Sequence, residues 1–141
     1  MNRFVLDTSL AAAWFISDPE AAYALTVRNK FEAGWAAIVP VIWPTEMASV
    51  LVKAVRRGTL TESAAASALQ QLEVLILSGP RIAIESHFQP VSKAFAVAQK
   101  HQVSAYDGLY LELALNEGLP LATLDKPLRA AALKAGVELV Q

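Results

Sequence analysis

The chain has 141 residues, of which 55% are hydrophobic and only 18% are charged. This composition excludes an intrinsically disordered protein, because a chain of this length and hydrophobicity can bury most of its apolar surface in one domain. The net charge of −1 excludes attraction of the whole molecule to nucleic acid or anionic lipid, so any such binding has to be local. The absence of cysteine excludes disulfides, thiolate metal sites and a cysteine nucleophile, and fits a reducing cytosol.

Strands and helices are predicted to alternate along the chain. Short apolar runs without polar alternation predict buried parallel strands; in chain order these are Phe4–Leu6, Ala37–Val39, Ile82–Ile84, Leu119–Leu124 and Val137–Val140. Helical spacing of apolar residues predicts helices around 10–15, 47–54, 65–75, 91–98, 106–113 and 126–135, and Asp18-Pro19-Glu20 is a further helix start. Because no linker or repeat interrupts this order, we expect one α/β domain over residues 1–141.

Two apolar segments bear on where the protein is expected to reside. The run Phe4–Leu6 is too short for the central region of a signal peptide. The longest apolar stretch, Ala36 to Trp43, is broken by Pro40 and falls short of the ~20 residues of a membrane helix. We therefore expect a soluble, cytoplasmic protein that does not bind a membrane.

Four acidic residues stand at the beginnings of predicted helices. Asp7 directly follows the first strand and Asp125 follows the fourth, whereas Glu46 and Asp107 fall in first helical turns. Parallel α/β sheets bind ligands beyond the carboxyl ends of their strands, which is also where the following helices begin. These positions allow the four acids to converge in one crevice.

Each acid taken singly also suits a helix start without any further function. Negative charge stabilises a helix N-terminus, Asp7 and Asp125 suit N-caps, and the run from Ser104 to Asp107 matches a capping box. Taken together, however, four carboxylates in one crevice repel one another unless cations neutralise them. With no cysteine and no closely spaced histidine pair, hard oxygen-bound cations such as Mg²⁺ or Mn²⁺ fit that role.

Four stretches in this order resemble the PIN-domain ribonucleases, and most closely the VapC-type toxins of toxin–antitoxin pairs. The matching stretches are Phe4–Ser9, Pro44–Leu51, Ala105–Ala114 and Leu121–Asp125. The resemblance implies a three-layer α/β/α sandwich with a mostly parallel central sheet. It also implies a Mg²⁺- or Mn²⁺-dependent endoribonuclease with RNA as its substrate, a cognate antitoxin protein as its partner, and a homodimer.

The resemblance further implies residue roles. Asp7, Glu46, Asp107 and Asp125 form the acidic quartet that binds metal and carries catalysis, and Thr123 supplies a supporting hydroxyl. We expect Asp7 and Asp107 to be the central ligands, Glu46 to bind metal or orient water, and Asp125 to be peripheral. "Quartet" denotes these four acids below.

A basic stripe accompanies Glu46 on its predicted helix. Lys53 and Arg57 follow Glu46 by seven and eleven residues, which places them at nearly the same helical azimuth. We predict that they contact an RNA backbone, although such charges equally suit a solvated outer helix face.

Two other functions fit parts of the pattern. A non-catalytic PIN-like module that binds RNA or protein would share the fold, but it has no need for four mutually repelling acids. A different Mg²⁺-dependent phosphoryl hydrolase, of the haloacid-dehalogenase kind, also places Asp after the first strand. That site requires Asp-x-Asp, and the third position here is Ser9.

Overall fold

Strands and helices follow one another along the parts of the chain that the computed structural model describes, residues 2–78, 81–87 and 89–141. The strands are β1 (Arg3–Leu6), β2 (Ala36–Pro40), β3 (Ile82–Glu85) and β4 (Leu121–Ala122). The helices are α1 (Thr8–Ala12), α2 (Ala21–Asn29), α3 (Trp43–Arg56), α4 (Glu62–Leu77), α5 (Val91–His101), α6 (Ala105–Glu117) and α7 (Lys126–Lys134).

The four strands form one parallel sheet in the order β3-β2-β1-β4. Every residue of β2 is buried, and so is every residue of β1 after Arg3. Because successive side chains of a strand point to opposite faces, this burial requires helices on both sides of the sheet. The predicted three-layer sandwich with a parallel sheet is confirmed.

The strand order creates a switch point between β1 and β4. The chain proceeds from β1 to β2 to β3 in one direction and then crosses to the other side of β1 to form β4. The backbone N–H of Asp7 donates to the carbonyl of Ala122 at 2.9 Å, so the carboxyl ends of these two strands lie side by side. In open α/β sheets, this crevice is where ligands bind.

Two strand predictions were wrong in extent. The run Leu119–Leu124 forms a strand only at Leu121–Ala122, because Pro120 has no N–H and the N–H of Leu124 donates to a side chain, the Ser9 hydroxyl. The run 137–140 does not form a named strand and makes only an isolated parallel bridge, between Leu121 and Leu139.

Helices lie where the apolar spacing predicts them, but the first has other bounds. The helix α6 ends at Glu117 and is capped by Gly118, whose φ of 63° lies in the left-handed region that glycine adopts without strain. The helix expected over 10–15 instead begins at Thr8 and ends at Ala12, and residues 13–15 continue as turns. Within the described ranges, none of the helices is both long and apolar enough to cross a membrane.

Candidate active site

Asp7 lies at the start of α1 but does not cap it. Its backbone is extended, with φ −79° and ψ 148°, and its side chain makes no capping hydrogen bond. Instead, the carboxylate is 5% exposed and its Oδ2 accepts hydrogen bonds from Ser9 Oγ at 2.6 Å and Thr123 Oγ1 at 2.7 Å. The alternative that Asp7 is a simple N-cap is therefore wrong.

The hydroxyls of Ser9 and Thr123 are fixed from the backbone side as well. Ser9 Oγ accepts from the N–H of Leu124 at 3.0 Å, and Thr123 Oγ1 accepts from the N–H of Asp125 at 3.1 Å. Each hydroxyl thus has its single proton available for Asp7. The pair joins the segment after β1 to the segment after β4 and holds the Asp7 carboxylate in the crevice between them.

Glu46 occupies the first turn of α3, a helix that begins with the buried Trp43 and a proline. Its Oε1 accepts a short hydrogen bond from the hydroxyl of Tyr110, and Thr8 Oγ1 lies 3.4 Å from the same oxygen. The hydroxyls of Thr8 and Tyr110 are themselves 2.9 Å apart. One oxygen of Glu46 is therefore held by the Tyr110 hydroxyl, which the Thr8 hydroxyl contacts in turn.

The remaining two acids differ in how they relate to their helices. Asp125 is the N-cap of α7, and its Oδ1 accepts from the N–H of Leu128 at 3.3 Å. Asp107 lies in the first turn of α6, where its backbone N–H donates to Ser104 Oγ at 3.0 Å. Capping thus accounts for one oxygen of Asp125, whereas Ser104 rather than Asp107 caps α6.

The charges of the quartet act on one another. The pKa of Asp107 is raised from 3.8 to about 6, first by burial and then by the negative charges of Asp125, Asp7 and Glu46. Burial also raises the pKa of Asp7; the Ser9 and Thr123 hydrogen bonds oppose that shift, and the charges of Glu46 and Asp125 add to it. The fold therefore brings the four predicted acids within electrostatic reach of one another.

No cation of the described chain neutralises this charge. The ion pairs among residues 2–78, 81–87 and 89–141 join Arg3 to Glu117, His87 to Glu85 and Lys93 to Glu112, and none includes a member of the quartet. In the same ranges, no three His, Asp or Glu side chains are arranged to hold one metal ion directly. Mg²⁺ typically keeps several waters and binds only one or two carboxylates, so the oxygen donors suit a hydrated hard cation.

Lys53 lies in the last turn of α3, and Arg57 is the residue that directly follows this helix. Both are exposed and border a surface groove of about 440 Å³ that Ile16, Asp18 and Val50 also line. The structure therefore places the basic stripe on an accessible surface of the helix that carries Glu46.

Three site residues escaped the sequence analysis: Ser9, Thr8 and Tyr110. The first two belong to the run Asp7-Thr8-Ser9, and hydroxyls next to an acid at a strand end were the available signal. Tyr110 was assigned to the apolar face of its helix. Its position three residues after Asp107 places both on one face of α6, which was the signal for its role.

Comparisons with known proteins agree with this geometry. The family model described as PIN domain matches residues 4–134. A curated relative, Ribonuclease VapC3 of Pyrobaculum aerophilum, is 37% identical over 83 residues, which are 59% of this chain and 61% of the relative. The match thus spans about three fifths of the relative's length.

Two solved structures share the fold. PAE2754 from Pyrobaculum aerophilum superposes with a TM-score of 0.65 at 22% identity, covering 92% of this chain and 86% of that one. VapC20 of Mycobacterium tuberculosis, described as a Sarcin-Ricin loop cleaving toxin, superposes with a TM-score of 0.67 at 18% identity and covers 98% of both chains. At these identities the two structures establish the architecture.

Proposed function

Since the chain belongs to the PIN domain family, as its four motif stretches predict, we propose that it is a Mg²⁺- or Mn²⁺-dependent endoribonuclease acting as the toxin of a toxin–antitoxin pair. The observation that carries this proposal is the quartet itself: burial and then the charges of the other three acids raise the pKa of Asp107, and no member of the quartet has an ion-pair partner in the described chain. The name of the curated relative, Ribonuclease VapC3, supports it.

The proposed roles follow from which oxygen atoms are already engaged. Asp7 Oδ2 is held by two hydroxyls, so Oδ1 is the oxygen left free to hold a cation, and Asp107 would be the second central ligand. Glu46 binds a cation or orients water through Oε2, because its Oε1 is engaged. Asp125 contributes peripherally because capping engages its Oδ1. A divalent cation held by these residues would supply the activation of water and the stabilisation of the leaving oxygen of the phosphodiester.

The proposal extends to partners. We expect RNA as the substrate, a cognate antitoxin protein that neutralises the nuclease, a homodimer and a cytoplasmic location. Residues 1–141 would then form a single PIN-like nuclease domain, in line with the family match over 4–134.

A metal titration with RNA tests the function. The purified protein is incubated with single-stranded and structured RNAs in Mg²⁺, Mn²⁺ or EDTA. We expect internal cleavage in both metals and none in EDTA, with 5′-phosphate and 3′-hydroxyl ends. Binding of RNA without cleavage in either metal would favour the non-catalytic binding module. Hydrolysis of phosphate monoesters in place of RNA would favour another phosphoryl hydrolase.

Lys53 and Arg57 are proposed to contact the RNA backbone beside the site. The double variant Lys53→Ala/Arg57→Ala is expected to weaken RNA binding and to lower the slope of log affinity against log salt by about 1.4, since each contact to single-stranded RNA contributes about 0.7. Binding is measured by fluorescence anisotropy between low and moderate salt, with a catalytically inactive background to prevent cleavage.

The matched control for this double variant is Arg3→Ala/Lys30→Ala. It also removes two positive charges, but Arg3 begins β1 and Lys30 precedes β2, so both lie toward the amino edge of the sheet, opposite the quartet. This control should leave the salt slope unchanged. Equal slopes for all three proteins would show that the basic stripe does not contact RNA.

A further inference from the structure

Two buried hydroxyls converge on a single oxygen of Glu46. The Tyr110 side chain is 0% exposed and Thr8 is 6% exposed, and both hydroxyls lie within hydrogen-bond distance of Oε1. Because a buried phenol and a buried hydroxyl lose their water on folding, their hydrogen bonds have to be made within the protein. Here Tyr110 donates to a member of the quartet, and Thr8 donates to Tyr110.

The donor and the acceptor of each of these hydrogen bonds can be assigned. A carboxylate only accepts, so the single proton of the Tyr110 hydroxyl is donated to Glu46. In its 2.9 Å contact with Thr8, Tyr110 therefore accepts and Thr8 donates. The resulting order, Thr8 to Tyr110 to Glu46, ends at the carboxylate and strengthens the final bond through polarisation.

The three residues come from three elements that each carry or adjoin an acid of the quartet. Thr8 directly follows Asp7, Tyr110 lies one turn after Asp107 on α6, and Glu46 belongs to α3. Their hydrogen bonds thus tie the Glu46 carboxylate to the segments that place the two proposed central ligands. Nothing in a merely apolar core would require a hydroxyl at position 110, because phenylalanine fills the same space.

We propose that Tyr110 and Thr8 form a hydroxyl clamp that positions the Glu46 carboxylate toward the cation and water of the active site. The inference rests on the proposed nuclease function. Tyr110 is a positioning residue in this account, because it acts through Glu46 and does not touch RNA or metal. By fixing Oε1, the clamp leaves Oε2 in one defined orientation before substrate arrives, which is the preorganisation that metal-dependent catalysis requires.

The first test is Tyr110→Phe, which keeps the ring in the core and removes only the hydroxyl. We expect kcat for RNA cleavage to fall about tenfold with KM within about twofold, and Mn²⁺ binding measured by calorimetry to weaken about tenfold, as for other groups that orient metal ligands. Tyr23→Phe is the matched control, because its hydroxyl donates to the backbone carbonyl of Val140 and not to a member of the quartet. That control should change neither quantity.

Conservative replacement at Thr8 separates the hydroxyl from the rest of the side chain. Thr8→Ser keeps the donor and should retain kcat and Mn²⁺ affinity, whereas Thr8→Val keeps the shape and should reduce both. Equal values for the two variants would overturn the role of Thr8 in the clamp. Thermal melts in EDTA verify that each variant is folded.

A double-variant cycle tests whether Tyr110 acts through Glu46. In a Glu46→Gln background, Tyr110→Phe should not weaken Mn²⁺ binding further, since the carboxylate that it positions is gone. A full tenfold additional loss in that background, or wild-type behaviour of Tyr110→Phe itself, would overturn the inference. If the unmodified protein fails to cleave RNA in any divalent metal, the nuclease proposal fails, and the Mn²⁺ measurements still decide on the clamp.

Discussion

Replacing Asp7 by asparagine is expected to reduce metal-dependent RNA cleavage by about three orders of magnitude, while the metal-free protein becomes more stable. If Asp7 is the central ligand that we propose, its loss removes a charge that holds the cation, and a thousandfold loss corresponds to about 4 kcal/mol of transition-state stabilisation. Cleavage is measured with RNA in excess at saturating Mg²⁺, on protein free of contaminating nuclease.

The gain in stability follows from the burial of Asp7. Its pKa is raised in the folded protein, chiefly by burial, so the Asp7 contribution to stability is lost as pH rises through the folded pKa. An asparagine carries no charge, and its Oδ1 can still accept from Ser9 and Thr123. We expect the free energy of unfolding to rise by about 1 kcal/mol, or a few degrees in Tm, in EDTA at pH 7.5.

The matched control is Glu32→Gln, which makes the same carboxylate-to-amide change at an exposed position. It should alter neither cleavage nor Tm by a measurable amount. An Asp7→Asn protein that cleaves RNA at near the wild-type rate would show that Asp7 does not hold the cation. A lower Tm for this variant in EDTA would contradict the premise that the buried charge of Asp7 destabilises the metal-free protein.

Binding of Mn²⁺ should weaken about tenfold for each pH unit below 6, and so about a hundredfold between pH 6 and pH 4. The pKa of Asp107 is raised to about 6 by burial and by its three acidic neighbours, and a carboxylate has to lose its proton before it binds a cation. Calorimetric titrations of the same preparation at several pH values measure this dependence directly.

The raised pKa of Asp107 also predicts the direction in which the stability of the metal-free protein changes with pH. Because the folded pKa of Asp107 lies above its unfolded value of 3.8, its contribution to stability is present below pH 3.8 and is lost as pH rises through about 6. Mn²⁺ should therefore raise Tm more at pH 7.5 than at pH 5. Asp107→Asn should reduce both pH dependences by removing the contribution of Asp107, and a variant that follows the wild-type curves would refute this assignment.

The sequence suffices to predict the convergence of the quartet because it depends on regular geometry. Asp7 and Asp125 follow predicted strands, Glu46 and Asp107 open predicted helices, and parallel strands end at one edge of a sheet. Thr123 was reached only through the family resemblance. Its hydrogen bond to Asp7 is observed in the fold.

The roles of the hydroxyl groups could not be predicted in the same way. Thr8 and Tyr110 are 102 positions apart in the chain, and their contact exists only because α6 packs against the sheet beside α1. The spacing of apolar residues assigns Tyr110 to the apolar face of its helix. That assignment agrees with the burial of Tyr110 but does not predict the hydrogen-bond partner of its hydroxyl. Likewise, spacing alone cannot tell that Asp125 caps its helix while Asp7 does not.

The shortened β4 has a similar origin. Its apolar run continues to Leu124, but the N–H groups of Leu124 and Asp125 donate to the hydroxyls of Ser9 and Thr123, so hydrogen bonding within the site replaces strand pairing. A strand predicted from hydrophobicity therefore ends early where the site begins.

Anomalous scattering from crystals grown with MnCl₂ provides the most direct measurement of whether the quartet binds divalent cations. The account predicts a Mn²⁺ peak in the crevice between β1 and β4, bounded by the carboxylates of Asp7 and Asp107 and completed by waters. A crevice without Mn²⁺ at millimolar metal, or Mn²⁺ bound only at acids outside the quartet, would contradict it.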